Sequence, residues 1–370
     1  MSRSAGSRLQ ATSHLLSRRL FLQSTSALAA GLGVLGTQAW ATPPRPAALN
    51  KRRLGRTGLQ VTDISFGGIQ IQQERLLDVV IDRGINLIHT APGYGGGKSI
   101  RIFGQVMKRR RDEVFLALKE NPVGGIDGEL ALLNTDHVDI LVPPLHTLEE
   151  INDPELPGAF ERLKKEGKIR FSGYACHQNQ AEIMTRSVEL GFFDVMLIGY
   201  NLANRGELDP ILARARQERN MGFMAMKACK DLTAGGHASA FASLLGNLDV
   251  HTLLVGMSTL AEVEANAAAS GRKTGWYDRL RLLEYAHVPL TACTLCGACD
   301  RCPHGVAVGE VLRCGLYAQR GEVELARTSY QGLAYGQRVA ACLGCGRCEQ
   351  NCPRRRPVRA ELQAIHAVLS

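Results

Sequence analysis

Between Leu54 and Ser270 the chain alternates two hydrophobic patterns. Short runs are apolar almost throughout: Asp63–Phe66, Asn86–His89, Val114–Lys119, Val138–Val142, Arg170–Tyr174, Asp194–Gly199, Gly222–Met226 and Thr252–Gly256. A strand with one wet face would alternate apolar and polar residues, so continuous runs of this length predict parallel strands covered on both faces. The segments between them repeat their apolar residues every three to four positions. In Glu74–Arg83, for example, Leu76, Leu77, Val80 and Ile81 share one side. Lys98–Arg109, Glu155–Glu166, Asn179–Leu190, Asp209–Arg219 and Leu260–Ala269 follow the same rule and predict amphipathic helices. Eight strands alternating with helices predict an α/β fold, a (β/α)8 TIM barrel over residues 51–285, with its chemistry at the C-terminal ends of the strands. Further on the period is helical only. Val311, Leu312, Leu316 and Tyr317 form a stripe within Val308–Leu333, and Val358–Leu369 gives another helix, so residues 286–370 predict a small, mainly helical domain.

The first 41 residues fit neither pattern. They carry four arginines and no acidic residue, a modest Ala- and Gly-rich run from Ala27 to Gly36, and the small–x–small triplet Ala39-Trp40-Ala41. This is the layout of a cleavable signal peptide, too short and weakly apolar to remain as a permanent membrane span. Ser17-Arg18-Arg19-Leu20-Phe21-Leu22-Gln23 resembles a twin-arginine signal, which implies export of an already folded protein to the periplasm or an equivalent compartment. Residues 42–50, with Thr42-Pro43-Pro44-Arg45-Pro46, read as a linker. Removing the leader takes the formal charge from +9 to +9 − 4 = +5. So small and diffuse an excess gives no case for nucleic acid. The local run Arg354, Arg355, Arg356 and Arg359 reads as a solvated face, or as compensation for nearby anionic groups.

Eight of the eleven cysteines lie in two tight groups. The first is Cys293-x2-Cys296-x2-Cys299-x2-Cys302-Pro303, the second Cys342-x2-Cys345-x2-Cys348-x3-Cys352-Pro353. The second group has the spacing of bacterial two-cluster ferredoxins, and the first is one residue shorter before its last cysteine. Two [4Fe–4S] clusters are therefore expected, rather than zinc sites or a disulfide framework, which would spread its cysteines over the fold. In two-cluster ferredoxins the fourth cysteine of each run crosses to the other cluster. That assigns Cys293, Cys296, Cys299 and Cys352 to one cluster and Cys342, Cys345, Cys348 and Cys302 to the other. The dispersed Cys176 reads as a small buried residue and Cys314 as part of a helix face.

Several segments of the barrel carry a resemblance. Leu54-Gly55-Arg56-Thr57-Gly58-Leu59-Gln60-Val61, Gly84 to Gly95, Gly167-Lys168-Ile169-Arg170-Phe171-Ser172-Gly173, Tyr200-Asn201-Leu202 and Gly256 to Asn266 together resemble the aldo/keto reductases. With the cysteine tail, they resemble the branch bearing a ferredoxin-like domain. The resemblance implies carbonyl–alcohol redox with a nicotinamide at a site of Asp, Tyr, Lys and His, in which the Tyr is the general acid and the Lys lowers its pKa. Tyr94 matches the Tyr and Lys119 the Lys. His89 stands in the Asp position, as a neutral partner of Lys119 or a titratable group. His146 is the candidate His, displaced by Pro143-Pro144, and His177 faces the same rim.

The cofactor positions depart further. Ala175, Cys176 and Leu197 align with polar residues that hold a nicotinamide amide, and Glu262 with the cation that grips a 2′-phosphate. Gly256, Ser258 and Asn266 remain as cofactor-binding candidates. Weak or no NAD(P) binding is the expectation. Two functional readings follow. One is an exported iron–sulfur oxidoreductase that acts on a small carbonyl or alcohol and exchanges electrons with a redox partner. The other is an electron-transfer protein whose barrel is a degenerate scaffold.

Overall fold

A computed structural model describes residues 48–229, 236–278, 280, 293, 297–319 and 321–370. The signal peptide, most of the linker and Cys296 lie outside the described residues. The chain enters through a hairpin in which β1 (Lys51–Arg53) pairs antiparallel with β2 (Gln60–Thr62). Its apolar residues Leu54, Leu59 and Val61 are buried with Leu87, Ala117, Ile140, Val195 and Leu197. A Cβ on Gly222, at the start of its strand, would meet Leu54 Cγ at 2.8 Å, so the hairpin plugs the N-terminal end of the barrel.

The barrel itself is β3 (Ile64–Gly67), β4 (Leu87–Thr90), β5 (Phe115–Leu118), β6 (Val138–Leu141), β7 (Ile169–Cys176), β8 (Val195–Gly199), β9 (Gly222–Met226) and β10 (Thr252–Gly256). Every pairing is parallel, and β10 closes on β3 with Leu253 opposite Ile64. The (β/α)8 architecture read from the hydrophobic pattern is the one observed, with all eight runs present as strands.

Around the strands lie α1 (Glu74–Asp82), α2 (Lys98–Arg110), α3 (Asp127–Leu133), α4 (Leu148–Ile151), α5 (Glu155–Lys165), α6 (Gln180–Leu190), α7 (Arg205–Arg219), α8 (His237–Leu245) and α9 (Leu260–Ala267). The pattern did not announce α3, α4 or α8. The first two are too short to show a period, and α8 (His-Ala-Ser-Ala-Phe-Ala-Ser-Leu-Leu) has hardly any polar face to contrast with its apolar one.

The C-terminal region contributes α10 (Val308–Gln319), α11 (Val323–Gln331), α12 (Arg347–Gln350) and α13 (Val358–Leu369). Val308, Val311, Leu312, Ala326, Tyr330, Leu362 and Leu369 give it a hydrophobic core of its own. Cys293, Cys299, Cys302, Cys342, Cys348 and Cys352 pack against that core. Among the described residues no helix is long and apolar enough to cross a membrane.

Candidate active site and cysteine hollow

The ends of successive strands set the barrel's mouth. His89 is buried within β4, and the chain then turns sharply before α2. Gly95, Gly96 and Gly97 all take positive φ (57°, 61° and 85°), a conformation that costs a side-chain-bearing residue free energy, so this loop needs glycine to present Tyr94. Lys119 follows β5, its N–H donating to Thr90 O at 2.9 Å. Its Nζ lies 5.2 Å from the centroid of the Tyr94 ring, and the His89 ring stands edge-on to that ring at 5.8 Å. His146 arrives on the loop after β6. There Pro144 bridges to Ala175, and Leu145 N–H donates to Ala175 O at 2.9 Å. The His146 ring stacks on His177, beyond β7, with centroids 4.4 Å apart. Residues scattered over ninety positions of sequence thus converge.

Burial governs their charge. It pushes His89 down to about 3, with the Lys119 cation adding to the effect, so the imidazole is neutral. His146 is pushed down to about 3 by burial and then by Lys119 and Arg313, and His177 lies well below its usual range for the same kind of reason. Lys119 is lowered to about 8, first by burial and then by Arg313. Tyr94 is raised to about 12 because desolvation of a phenolate outweighs the nearby Arg313. Position 89, where the resemblance expects a carboxylate, holds a neutral imidazole.

Sequence reasoning missed Lys227 and the packing of α10 against the barrel. Lys227 follows β9 with φ 58°, and its field reaches His146 and His177. Its place just past a strand was a usable signal, since Lys119 was found that way. Nothing in the tail's helical stripe indicated that Glu310, Arg313 and Tyr317 would meet the barrel. Yet Gln178 Nε2 donates to Glu310 at 2.9 Å, and Arg313 perturbs Tyr94 and Lys119.

The cofactor candidates are arranged differently. Glu262 caps α9, and its Oε2 accepts from Ser258 N–H, Ser258 O–H and Thr259 N–H at 2.6, 2.8 and 3.0 Å. Both Ser258 donors are thus engaged within the chain. Gly256 ends β10 and Asn266 is buried in α9. Ala175 and Leu197 lie inside the barrel. Cys176 donates to Gln178 O at 2.8 Å, and burial raises its thiol to about 12, so it is a packing residue and not a nucleophile.

In the C-terminal region, Cys293, Cys299 and Cys352 line one small hollow. Gly297, Gly309, Leu312 and Val358 form its walls, and Arg354 and Arg356 its rim. Arg356 senses both Cys293 and Cys352. A cysteine from the second run therefore shares a cradle with two from the first. Cys348 and Cys342 are neighbours elsewhere, and Cys345 is exposed. No group of three His, Cys, Asp or Glu side chains among the described residues is drawn together closely enough to grip a single metal ion. Soft thiolate donors, an apolar wall and a cationic rim are the environment that a net-anionic iron–sulfur cubane requires, and these residues fit it.

Residues 67–231 match the model of the aldo/keto reductase family. The uncharacterized oxidoreductase YqkF of Bacillus subtilis is 30% identical over 148 residues, 34% of this chain and 48% of that protein, so the match spans about half of the relative's length. L-galactose dehydrogenase of Arabidopsis thaliana is 27% identical over 280 residues, 59% of this chain and 87% of the relative. Among solved structures, aldo-keto reductase AKR11C1 from Bacillus halodurans in its holo form superposes with a TM-score of 0.55 at 22% identity, over 64% of this chain and 96% of the other. An aldo-keto reductase from Klebsiella pneumoniae in complex with NADPH gives 0.52 at 23%, covering 66% and 96%. Identities this low establish a shared fold.

Proposed function

We propose that the barrel of this chain, which the aldo/keto reductase family model matches over residues 67–231, is an aldo/keto reductase and that the protein is an exported oxidoreductase that interconverts a carbonyl and an alcohol at the barrel mouth. The observation that carries this reading is the packing of Lys119 beside Tyr94 at the strand ends, with His89 and His146 kept neutral by burial. Reducing a carbonyl to an alcohol adds two electrons, which the reduced clusters would supply, and two protons, one ending on carbon from solvent and one on oxygen. Tyr94, fully protonated at neutral pH, is suited to give the proton that ends on oxygen. Lys119, when charged, stabilises the phenolate left behind. His146 and His177, being neutral, each offer a ring N–H toward the oxygen without adding charge.

Two [4Fe–4S] clusters, held by Cys293, Cys296, Cys299 and Cys352 and by Cys342, Cys345, Cys348 and Cys302, would each supply a one-electron carrier. A redox partner protein or small carrier replenishes them. A freely exchanging nicotinamide has little role here. Ala175 and Leu197 offer it no side-chain hydrogen bond, Glu262 repels a 2′-phosphate, and Ser258 has no donor to spare.

The test is an anaerobic preparation assayed for metal and for carbonyl reduction with a chemical reductant. About eight iron and eight sulfide per chain are expected from two cubanes. Cys352→Ser should halve the iron, removing the cluster on Cys293 while sparing the other. Tyr94→Phe should keep all the iron but lower kcat about 100-fold or more, the usual size of a lost general acid. Stoichiometric zinc would sink the cluster assignment. An unaffected Tyr94→Phe would favour the second reading, an electron carrier on a degenerate barrel, which draws its support from His89 standing where a carboxylate is expected.

A further inference from the structure

The two groups of cysteines differ in what covers them. The hollow lined by Cys293, Cys299 and Cys352 has the barrel on one side. Two glycines of its wall abut the loop after β7. A Cβ on Gly297 would meet Asn179 Oδ1 at 2.8 Å, and one on Gly309 would meet Gln178 Nε2 at 3.1 Å. Asn179 Nδ2 in turn donates to His146 O at 2.8 Å, and the His146 ring stacks on His177. That side of the hollow is closed by the loop that carries the mouth residues.

The second group is open. Among the described cysteines of both groups, Cys345 is the exposed one. Leu343, two residues before it, is 74% exposed, and Tyr335 is 78% exposed on a turn packed beside the Cys302 loop. There Ala307 N–H donates to Gln337 O at 3.0 Å, and a Cβ on Gly305 would meet Gly336 O at 3.7 Å. Large apolar side chains held out among polar ones are how a docking site presents itself. The charge around them is of one sign. Residues 334–361 contain Arg338, Arg347, Arg354, Arg355, Arg356 and Arg359 against two carboxylates, Glu349 and Glu361. Glu349 accepts from Arg359 and Glu361 from Arg356, so neither forms a negative spot of its own. Arg354 and Arg356 border the hollow. Arg347, Arg355 and Arg359 are exposed outside it. Arg359 Nη1 donates at 3.2 Å to the carbonyl of Gly344, the residue before Cys345, and Gly344, Arg355 and Arg359 line one open groove.

We propose that the face around Cys345 is the electron port of the protein, and that the partner docking there is an acidic one-electron carrier protein. The proposal rests on the two-cluster reading above and adds the place of entry and the charge of the partner. Electron tunnelling weakens steeply with distance, so a carrier has to dock over the ligand that reaches the surface. Each encounter oxidises the carrier by one electron and reduces the centre on Cys342, Cys345, Cys348 and Cys302 by one, and two encounters supply the two electrons of carbonyl reduction. The exposed arginines steer an acidic surface in from solution and set its orientation. Few apolar contacts inside a charged rim suit the small, short-lived interface of a redox encounter.

The experiment starts from anaerobic, cluster-loaded protein, reduced with dithionite and freed of excess reductant. Stopped flow follows its oxidation by two oxidised protein probes, an acidic plastocyanin and a basic cytochrome c. The plastocyanin rate constant should fall about tenfold or more as salt rises from about 0.01 M to about 0.3 M, and that of cytochrome c should not fall. Arg347→Glu combined with Arg355→Glu should slow plastocyanin about tenfold or more at low salt, with iron and sulfide content unchanged. Lys51→Glu combined with Lys165→Glu makes the same change of charge at exposed positions of the barrel and should leave the rate within about twofold. A plastocyanin rate that is indifferent to salt, or unmoved by the arginine pair, overturns the port. Equal slowing by the lysine pair does so too, because net charge would then be the cause. A low-salt preference for cytochrome c overturns the acidic partner. Zinc in place of iron removes clusters and port together, before any rate is measured, whereas intact iron with an unmoved rate removes the port alone.

Discussion

Two buried charge systems in the barrel differ in how completely they are satisfied. Asp139, on β6, accepts from Arg111 at 2.8 Å, Arg170 at 2.6 Å and Leu116 N–H at 2.8 Å, the full complement a buried carboxylate requires. It is structural. The mouth residues are the opposite case, with three imidazole nitrogens unpartnered and a lysine pushed down to about 8. Such incomplete satisfaction marks a site awaiting a ligand. A pH dependence follows. The Lys119 ammonium is present below about pH 8 and lost above it. If its charge supports the reaction, kcat/KM falls as pH rises through that value. His89→Asp would place a carboxylate beside the ammonium and favour its charged form, moving the break to higher pH by a unit or more. A break that stays in place would show that a group other than Lys119 governs it. Tyr94 and Lys119 were singled out by resemblance to short family motifs, which local sequence carries. Arg313 was not, because its effect on them depends on a contact across roughly two hundred residues of chain.

Helix spacing shows where local pattern stops. The amphipathic stripe of α2 was plain in the sequence, but not how closely its neighbour approaches. A Cβ on Gly104 would lie 2.0 Å from the backbone carbonyl of Leu132 at the end of α3. Backbone cannot swing aside as a flexible side chain can, so Gly104→Ala should destabilise the fold by about 1–3 kcal/mol, the usual cost of overpacking. Gly128, in α3, is a matched control. A Cβ there meets nothing within 4 Å, and Gly128→Ala should be neutral or stabilising by up to about 1 kcal/mol. Thermal or denaturant melts of the two variants make the comparison. Equal stability of both would mean that the helices part at no cost. The glycine itself, inside a helical pattern, was the only hint of this contact.

For the whole molecule, the proposed signal peptide and the proposed clusters make one argument. Cluster assembly requires a reducing compartment, so a cluster protein destined for an oxidising one has to be exported folded. Replacing Arg18 and Arg19 together by Lys should therefore leave precursor, with its iron, inside the cell. Fractionation with iron analysis reads this directly, and export at the normal rate would place the protein on the general secretory route instead.

The sequence determined what depends on short-range pattern. Period sets which segments are strands and which are helices, and eight such units leave one closed barrel as the way to bury them. Cysteine spacing marks where thiolates can be aimed at a common centre, because a turn of two intervening residues is a local object. Tertiary structure alone decided the protonation of the site and which helix packs beside it. The pKa values follow from desolvation, which is a property of everything packed around a group and not of its neighbours in sequence. Which face of α10 meets the barrel follows from the seating of Gln178 and Glu310, and a hydrophobic stripe carries no record of the polar partners on its other side.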